Sequence, residues 1–252
     1  MEWIDTALVL GSRRLGEADA LVELMTRDHG RHLGVVKGGR SKRWAAALQI
    51  GNRVRAVWRA RLDEHVGTWT VEPLDGRAAE LMASAVALNG VQTLAAHLRL
   101  LPERDPHPEL FEAMAAIVDH LGEPRLAGEL IVRFELAVIE ALGFGLDLSA
   151  CALTGATEDL AWVSPKSGRA ATRAAGAPHA ARLLALPAFL VGAASGEPAN
   201  WGRAGIDDLL AGFRLTGHFL ARHVWEPRGL NPPTTREGLV SALTRGLVND
   251  AG

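Results

Sequence analysis

The hydrophobic period of the chain changes at Pro73-Leu74-Asp75-Gly76, and this limits what each side can form. Before it, apolar residues alternate in short runs bounded by turn residues. After it, long alanine- and leucine-rich segments carry helical spacing. The early runs are Trp3–Leu10, ended by Gly11, then Ala20–Thr26, which enters the turn Asp28-His29-Gly30, and Arg31–Lys37, stopped by Gly38-Gly39. Arg53–Arg61 follows, then His65–Glu72 after the polar turn Asp63-Glu64. Five closely spaced strands with little helix fit a small closed or nearly closed barrel, because closure removes the exposed strand edges.

Beyond Gly76 the helical segments are Arg77–Leu101, Pro108–Leu121, Arg125–Leu142, His179–Ala194, Ile206–Trp225 and Thr235–Val248. Between the third and fourth, Gly143–Pro178 is too long for a plain connection and is expected to carry a small structure of its own. The fold class is therefore α+β and multidomain. Residues 1–75 form a five-stranded barrel domain and residues 76–252 a mainly α-helical domain with an irregular insertion over about 144–178.

The 252 residues are 48% hydrophobic and 22% charged, a globular composition with room for one large domain or two small ones. No apolar run reaches spanning length, and Glu2 and Asp5 at the N-terminus do not suit a signal peptide. A soluble cytoplasmic protein is expected. The single cysteine, Cys151, excludes an intramolecular disulfide and any multi-cysteine metal site.

Charge is segregated. The whole chain has a net charge of only -2, yet Arg27, Arg31, Lys37, Arg40, Lys42, Arg43, Arg53, Arg55, Arg59 and Arg61 face a single acid, Asp28, between positions 27 and 61. Such a local excess is the footprint of a surface that meets a polyanion, nucleic acid first. Within Arg53–Arg61, strand alternation puts Arg53, Arg55, Arg59 and Arg61 on one face and Val54, Ala56, Trp58 and Ala60 on the other. Arginines two residues apart sit about 6.6 Å apart, close to the spacing of phosphates on an extended strand. The alternative is a solvent-facing strand whose arginines pair with acids elsewhere. In Lys37-Gly38-Gly39-Arg40-Ser41-Lys42-Arg43-Trp44, four cations surround two glycines that permit close backbone approach. No nucleotide-binding loop is present there. Trp44 either stacks on a base, at about 1–3 kcal/mol, or caps the barrel.

Several segments together carry a family resemblance over nearly the whole chain. Trp3–Leu10, Gly16-Glu17, Met25-Thr26, His29-Gly30-Arg31, Val36-Lys37-Gly38-Gly39-Arg40-Ser41-Lys42-Arg43 and Leu48-Gln49 resemble the N-terminal domain of the bacterial recombination mediator family RecO. Arg133-Phe134-Glu135-Leu136, Leu142-Gly143-Phe144-Gly145 and Val163-Ser164-Pro165-Lys166-Ser167-Gly168 resemble its C-terminal half. The resemblance implies an oligonucleotide/oligosaccharide-binding (OB) barrel followed by a helical domain. It also implies a nucleoid-associated role in DNA repair by homologous recombination: binding single- and double-stranded DNA, annealing complementary strands coated with single-stranded-DNA-binding protein, and assisting RecA loading with RecR. The expected DNA-contacting residues are Arg31, Lys37, Arg40, Lys42, Arg43, Trp44, Arg53, Arg55, Arg59 and Arg61. Arg133 with Phe134 is the candidate contact for the acidic, apolar C-terminal tail of single-stranded-DNA-binding protein, against an ordinary surface ion pair.

The chain departs from the family at one place. Many members hold zinc with two C-x2-C pairs, but here Cys151 is followed by Thr154-Gly155, and a second pair would land near Thr172 and Ala175. One thiolate does not make a four-ligand site, so no metal or other cofactor is expected, and packing of Trp162 and Val163 is expected to hold the loop. Catalysis also finds no foothold. The nine histidines are scattered, Ser164 sits in no nucleophile elbow, and Asp207-Asp208 and Asp63-Glu64 read as a helix start and a turn. The protein is expected not to be an enzyme. The alternatives are a protein-binding helical scaffold and, behind it, a metal-dependent nuclease.

Overall fold

The structure is a computed structural model, which describes residues 1–62, 65–191 and 201–249. It forms two compact units, Met1–Gly122 and Glu123–Gly252. In the first, β1 (Glu2–Leu15), β2 (Asp19–Thr26), β3 (Gly30–Val36), β4 (Arg53–Arg59) and β5 (Gly67–Pro73) close into a barrel in the order β1-β2-β3-β5-β4, with β4 returning to β1. Only the β3–β5 pairing is parallel. This is the five-stranded OB barrel that the sequence implied, and the Asp63-Glu64 turn lies outside the described residues.

The barrel core follows from alternation. Ala7, Val9, Ala20, Val22, Leu24, Val36, Val54, Ala56, Trp58, Trp69 and Val71 point inward and are buried. Two indoles in so small a barrel need space, and the paired residues Gly34 and Gly67 provide it. A Cβ on Gly34 would stand 2.6 Å from the Trp69 ring, and one on Gly67 would overlap the Trp58 ring.

Two features go beyond the sequence reading. β1 does not stop at Gly11 but bulges between Val9 and Gly11 and runs on to Leu15. Between β3 and β4 lies α1 (Lys42–Ala47), a short helix whose end places Ala47 and Leu48 against the barrel core. Buried Asn52 fixes it by donating to the Ala46 and Ala47 carbonyls at 2.8 and 3.2 Å, while its own carbonyl accepts the Arg77 N–H at 2.8 Å.

The strands end where the period changes, but the compact unit that contains them runs on to Gly122 and takes in three helices. These are α2 (Ala78–Met82), α3 (Ala85–Leu98) and α4 (Pro108–Asp119). The expected single helix Arg77–Leu101 is split because the Ser84 hydroxyl caps α3, accepting from Val86 and Ala87.

The second unit has α5 (Pro124–Ala141), α7 (Ile206–Leu220) and α8 (Thr234–Asn249) as its helical body. Buried Glu135 on α5 binds Arg236 on α8 at 2.8 Å and the Thr216 hydroxyl on α7. Buried Glu129 accepts the Gly202 and Ala204 N–H groups at 3.0 and 2.7 Å. The insertion contains β6 (Leu160–Val163), β7 (Ala170–Thr172) and the single turn α6 (Arg173–Gly176), and β8 (Leu184–Ala185) completes a sheet in the order β7-β6-β8. The expected helix His179–Ala194 is replaced over its described part by 3-10 turns at Ala177–Arg182 and Ala188–Leu190 flanking β8. Pro187, which lacks an N–H, breaks the helical ladder there. Asp207 and Asp208 lie in the first turn of α7, as a helix start requires.

The fit of Trp58 against Gly67 makes one prediction. Gly67→Ala should destabilise the protein by about 1–3 kcal/mol through overpacking, read as a lower urea midpoint. An unchanged midpoint would mean that the indole is not held there.

Candidate nucleic-acid interface

On β4 the alternation is as expected, with Val54, Ala56 and Trp58 inside and Arg53, Arg55 and Arg59 facing outward. Each arginine, however, meets a carboxylate. Arg53 Nε lies 2.8 Å from Asp75, whose other oxygen accepts the Arg53 backbone N–H at 3.0 Å. Arg55 lies 4.0 Å from Glu72, its neighbour in register on β5, and Arg59 lies 2.8 Å from Glu2, its neighbour on β1. The Arg59 hydrogen bond holds the Glu2 carboxyl below its ordinary pKa and raises that of Arg59. The strand is a charge-compensated ladder. Arg61, beyond its end, is exposed and has no carboxylate partner among the described residues.

Arg31 is still more committed. Its guanidinium donates to Glu23 at 2.6 Å, to Glu103 at 3.3 Å and to the Leu101 carbonyl at 3.2 Å, and only 13% of the side chain is exposed. Glu23 also takes Arg99 at 2.6 Å. Arg31 therefore holds the α3–α4 connection to β2 and β3 rather than facing outward.

The 37–44 segment folds onto the β1–β2 hairpin tip. Lys37 Nζ and the Gly38 N–H bind Asp19 at 2.7 and 2.9 Å. Gly39 is buried, and a Cβ on it would stand 2.7 Å from that of Ala20, so its smallness serves this packing. Arg40 donates to the carbonyls of Gly16 and Glu17, which orient its charge without neutralising it. Lys42 and Arg43 are exposed, with no acid in ion-pair reach among the described residues. Trp44 is half-buried against the barrel core, with the Arg43 guanidinium 5.0 Å from its ring centre.

The structure adds two cations that the sequence reading misses. Arg13 and Arg14, on the part of β1 beyond the bulge, are exposed and unpaired among the described residues. The sign is present in Ser12-Arg13-Arg14-Leu15, but Gly11 reads as a stop instead of a bulge. Arg13, Arg14 and Arg40 at the hairpin tip and Lys42 and Arg43 on α1 are thus cations without an ion-paired carboxylate among the described residues, with Arg13 and Arg14, as neighbours on β1, pointing to opposite faces.

In the second unit, Phe134 is buried in the core. Arg133 donates to the Phe189 carbonyl and lies 4.7 Å over the Trp201 ring, which is 46% exposed. Burial lowers the Arg133 pKa. It is not an ordinary surface ion pair.

The insertion is packed through Val163, which is fully buried, and Trp162, whose indole covers Gly176. Among the described residues no three His, Cys, Asp or Glu side chains come together as metal ligands. The donor set does not fit zinc: Cys151 offers a sulfur, but its neighbour Thr172 offers only a hydroxyl. The Thr154 hydroxyl, then the Thr172 N–H, lower the Cys151 thiol to a pKa of about 6. No helix among the described residues is long and apolar enough to cross a membrane.

The closed five-stranded barrel followed by helices defines a class, that of OB-barrel proteins with a helical C-terminal region. Comparison with known proteins narrows this. Residues 1–77 match the family model "Recombination protein O N terminal", and residues 93–231 match "Recombination protein O C terminal". The chain is 60% identical over 247 residues to a protein of Chelativorans sp. (strain BNC1) named DNA repair protein RecO, covering 98% of this chain and 97% of that one. Proteins of the same name from Rhizobium leguminosarum bv. trifolii (strain WSM2304) and Brucella abortus (strain 2308) are 57% and 54% identical, with 98% of this chain and 94% and 98% of theirs covered. The chain belongs to the RecO family.

Two expectations follow from these contacts. Glu23→Gln should destabilise the first unit by about 1.5–3 kcal/mol, because two guanidinium groups lose a charged acceptor. Chemical denaturation checks this, and a loss under about 0.5 kcal/mol would show the clamp to be dispensable. The second concerns pH. Because the folded Cys151 pKa lies below the ordinary thiol value, its ionisation stabilises the fold fully above about pH 9, and this is lost as pH falls through about 6. The melting-temperature advantage of wild type over Cys151→Ala should shrink from pH 9 to pH 6.

Proposed function

We propose that this protein is a DNA-repair protein of homologous recombination that binds DNA and does no bond-making chemistry. In this reading the strand-built region, residues 1–75, holds single- or double-stranded DNA, and the following residues 76–252 meet protein partners. The protein anneals complementary strands coated with single-stranded-DNA-binding protein, and with RecR it assists RecA loading in the cytoplasm at the nucleoid. Family membership over nearly the full length supports the role. The observation that carries the choice of surface is the sorting of cations: Arg13, Arg14, Arg40, Lys42 and Arg43 meet no carboxylate among the described residues, while Arg53, Arg55 and Arg59 each do.

DNA therefore enters over the hairpin tip and α1. Lys37, Arg53, Arg55, Arg59 and Arg61 contribute at the margin, since an exposed ion pair is worth under about 1 kcal/mol and exchanges readily for a phosphate. Arg31 is assigned to the fold. Arg133 with the exposed Trp201 is the contact for an acidic, apolar tail, since a cation beside an aromatic face suits a carboxylate next to an apolar side chain. Phe134 supports it from the core.

The compensated β4 ladder favours one competing reading, a barrel that binds protein alone. The deciding experiment mixes two complementary oligonucleotides coated with single-stranded-DNA-binding protein and follows duplex formation. Acceleration supports the mediator role; DNA binding without acceleration removes the annealing role; no DNA binding leaves the protein-only reading. Magnesium-dependent loss of intact oligonucleotide would instead mark a nuclease.

The surface has its own test. Arg13→Ala/Arg14→Ala should weaken single-strand binding and reduce the slope of log affinity against log salt by roughly 0.7 per lost phosphate contact. Arg53→Ala/Arg55→Ala should change the slope less. The reverse order would move the path onto β4.

A further inference from the structure

In the second unit, the positions that a double C-x2-C spacing assigns to ligands lie on two facing turns. In the first turn the Gly155 N–H donates to the Cys151 carbonyl at 2.8 Å, and the Cys151 N–H donates to the Ala156 carbonyl at 2.7 Å. The Thr154 hydroxyl accepts the Ala156 N–H at 3.4 Å. In the second turn the Thr172 hydroxyl accepts the Ala175 N–H at 3.3 Å. The turns meet at one atom. Cys151 Sγ accepts the Thr172 N–H at 3.4 Å and lies 4.0 Å from the Thr172 hydroxyl oxygen.

That last separation has a metal counterpart. Four thiolates about 2.3 Å from a tetrahedral zinc lie about 3.8 Å from one another. One corner of each turn, Cys151 and Thr172, therefore stands at close to the spacing of a closed tetrahedral site, yet Thr154, Thr172 and Ala175, at the other three ligand positions, supply no soft anionic donor. We infer that residues 151–175 are a two-turn metal-binding frame converted into a metal-free one, in which the buried Cys151 sulfur joins the turns as a hydrogen-bond acceptor. Each turn keeps its own backbone and hydroxyl hydrogen bonds, and the Thr172 N–H of the second turn is donated to the sulfur of the first. The closure of this loop is thus independent of metal supply, a property of this chain that family membership does not carry.

The test begins with the full chain. Purified with zinc in the medium, it should carry substoichiometric zinc, and its melting temperature should not change with EDTA. One equivalent of zinc whose removal lowers the melting temperature would overturn the inference. The triple variant Thr154→Cys/Thr172→Cys/Ala175→Cys should bind one equivalent of cobalt(II) with the intense thiolate-to-cobalt absorption of a tetrahedral four-thiolate site. A variant that is folded by circular dichroism and binds none would show that no frame survives. Should the triple variant not fold, Cys151→Ala decides. Hydrogen exchange at the Thr172 amide should become about tenfold faster, as for the loss of one hydrogen bond, and unchanged exchange would overturn the role of the sulfur.

Discussion

The first unit depends on one carboxylate. Glu23 on β2 holds Arg31 and Arg99 at 2.6 Å each, and Arg99 in turn reaches the Leu10 carbonyl at 2.6 Å, beside the bulge of β1. One anion between two cations from different elements leaves a local positive excess, which Glu103 at 3.3 Å partly offsets. This arrangement fixes β1, β2, β3 and the end of α3 relative to one another. It also explains why the compact unit does not end with the barrel. The α3–α4 connection is bound to the strands through the Glu23–Arg31 pair, which is largely withdrawn from water and so weakly screened, while Arg99 and Glu103 stay partly exposed.

A charge run in the sequence is thus three things in the fold. Arg31 is structural, the β4 arginines are compensated in register, and the cations at the hairpin tip and α1 are left without a carboxylate among the described residues. A guanidinium that already shares an acid must give up that contact before it meets a phosphate, and the released carboxylate then stands near the incoming anion. A cation without an acid meets neither cost. The dense arginine spacing of β4 is therefore offset by its own acids, whereas the cations of the hairpin tip and α1 are not paired in this way.

What is legible in the sequence is whatever local periodicity writes. The five strands can be read because alternation and turn residues agree, and the helices α4, α5, α7 and α8 because apolar spacing persists over several turns. The ladder partners cannot be. Glu2 lies 57 residues from Arg59, and Asp75 lies 22 from Arg53, so only strand register brings them together. Gly11 misleads because a glycine ends some strands and bulges others, and nothing within a few residues distinguishes the two. α1 is hidden by its length, since six residues do not display a helical period. His179–Ala194 misleads when apolar spacing is allowed to outweigh Pro187.

Trp44 shows how these levels combine. Read alone, a tryptophan among cations suits base stacking and barrel capping equally. On α1, which is anchored by Leu48 and Asn52, the indole packs with part of its surface against the barrel core and leaves the rest exposed. The Arg43 guanidinium over the ring then becomes part of the surface that the indole supports. The indole supports the guanidinium from one side while it packs on the barrel with the other, so one aromatic residue joins the core to a surface cation.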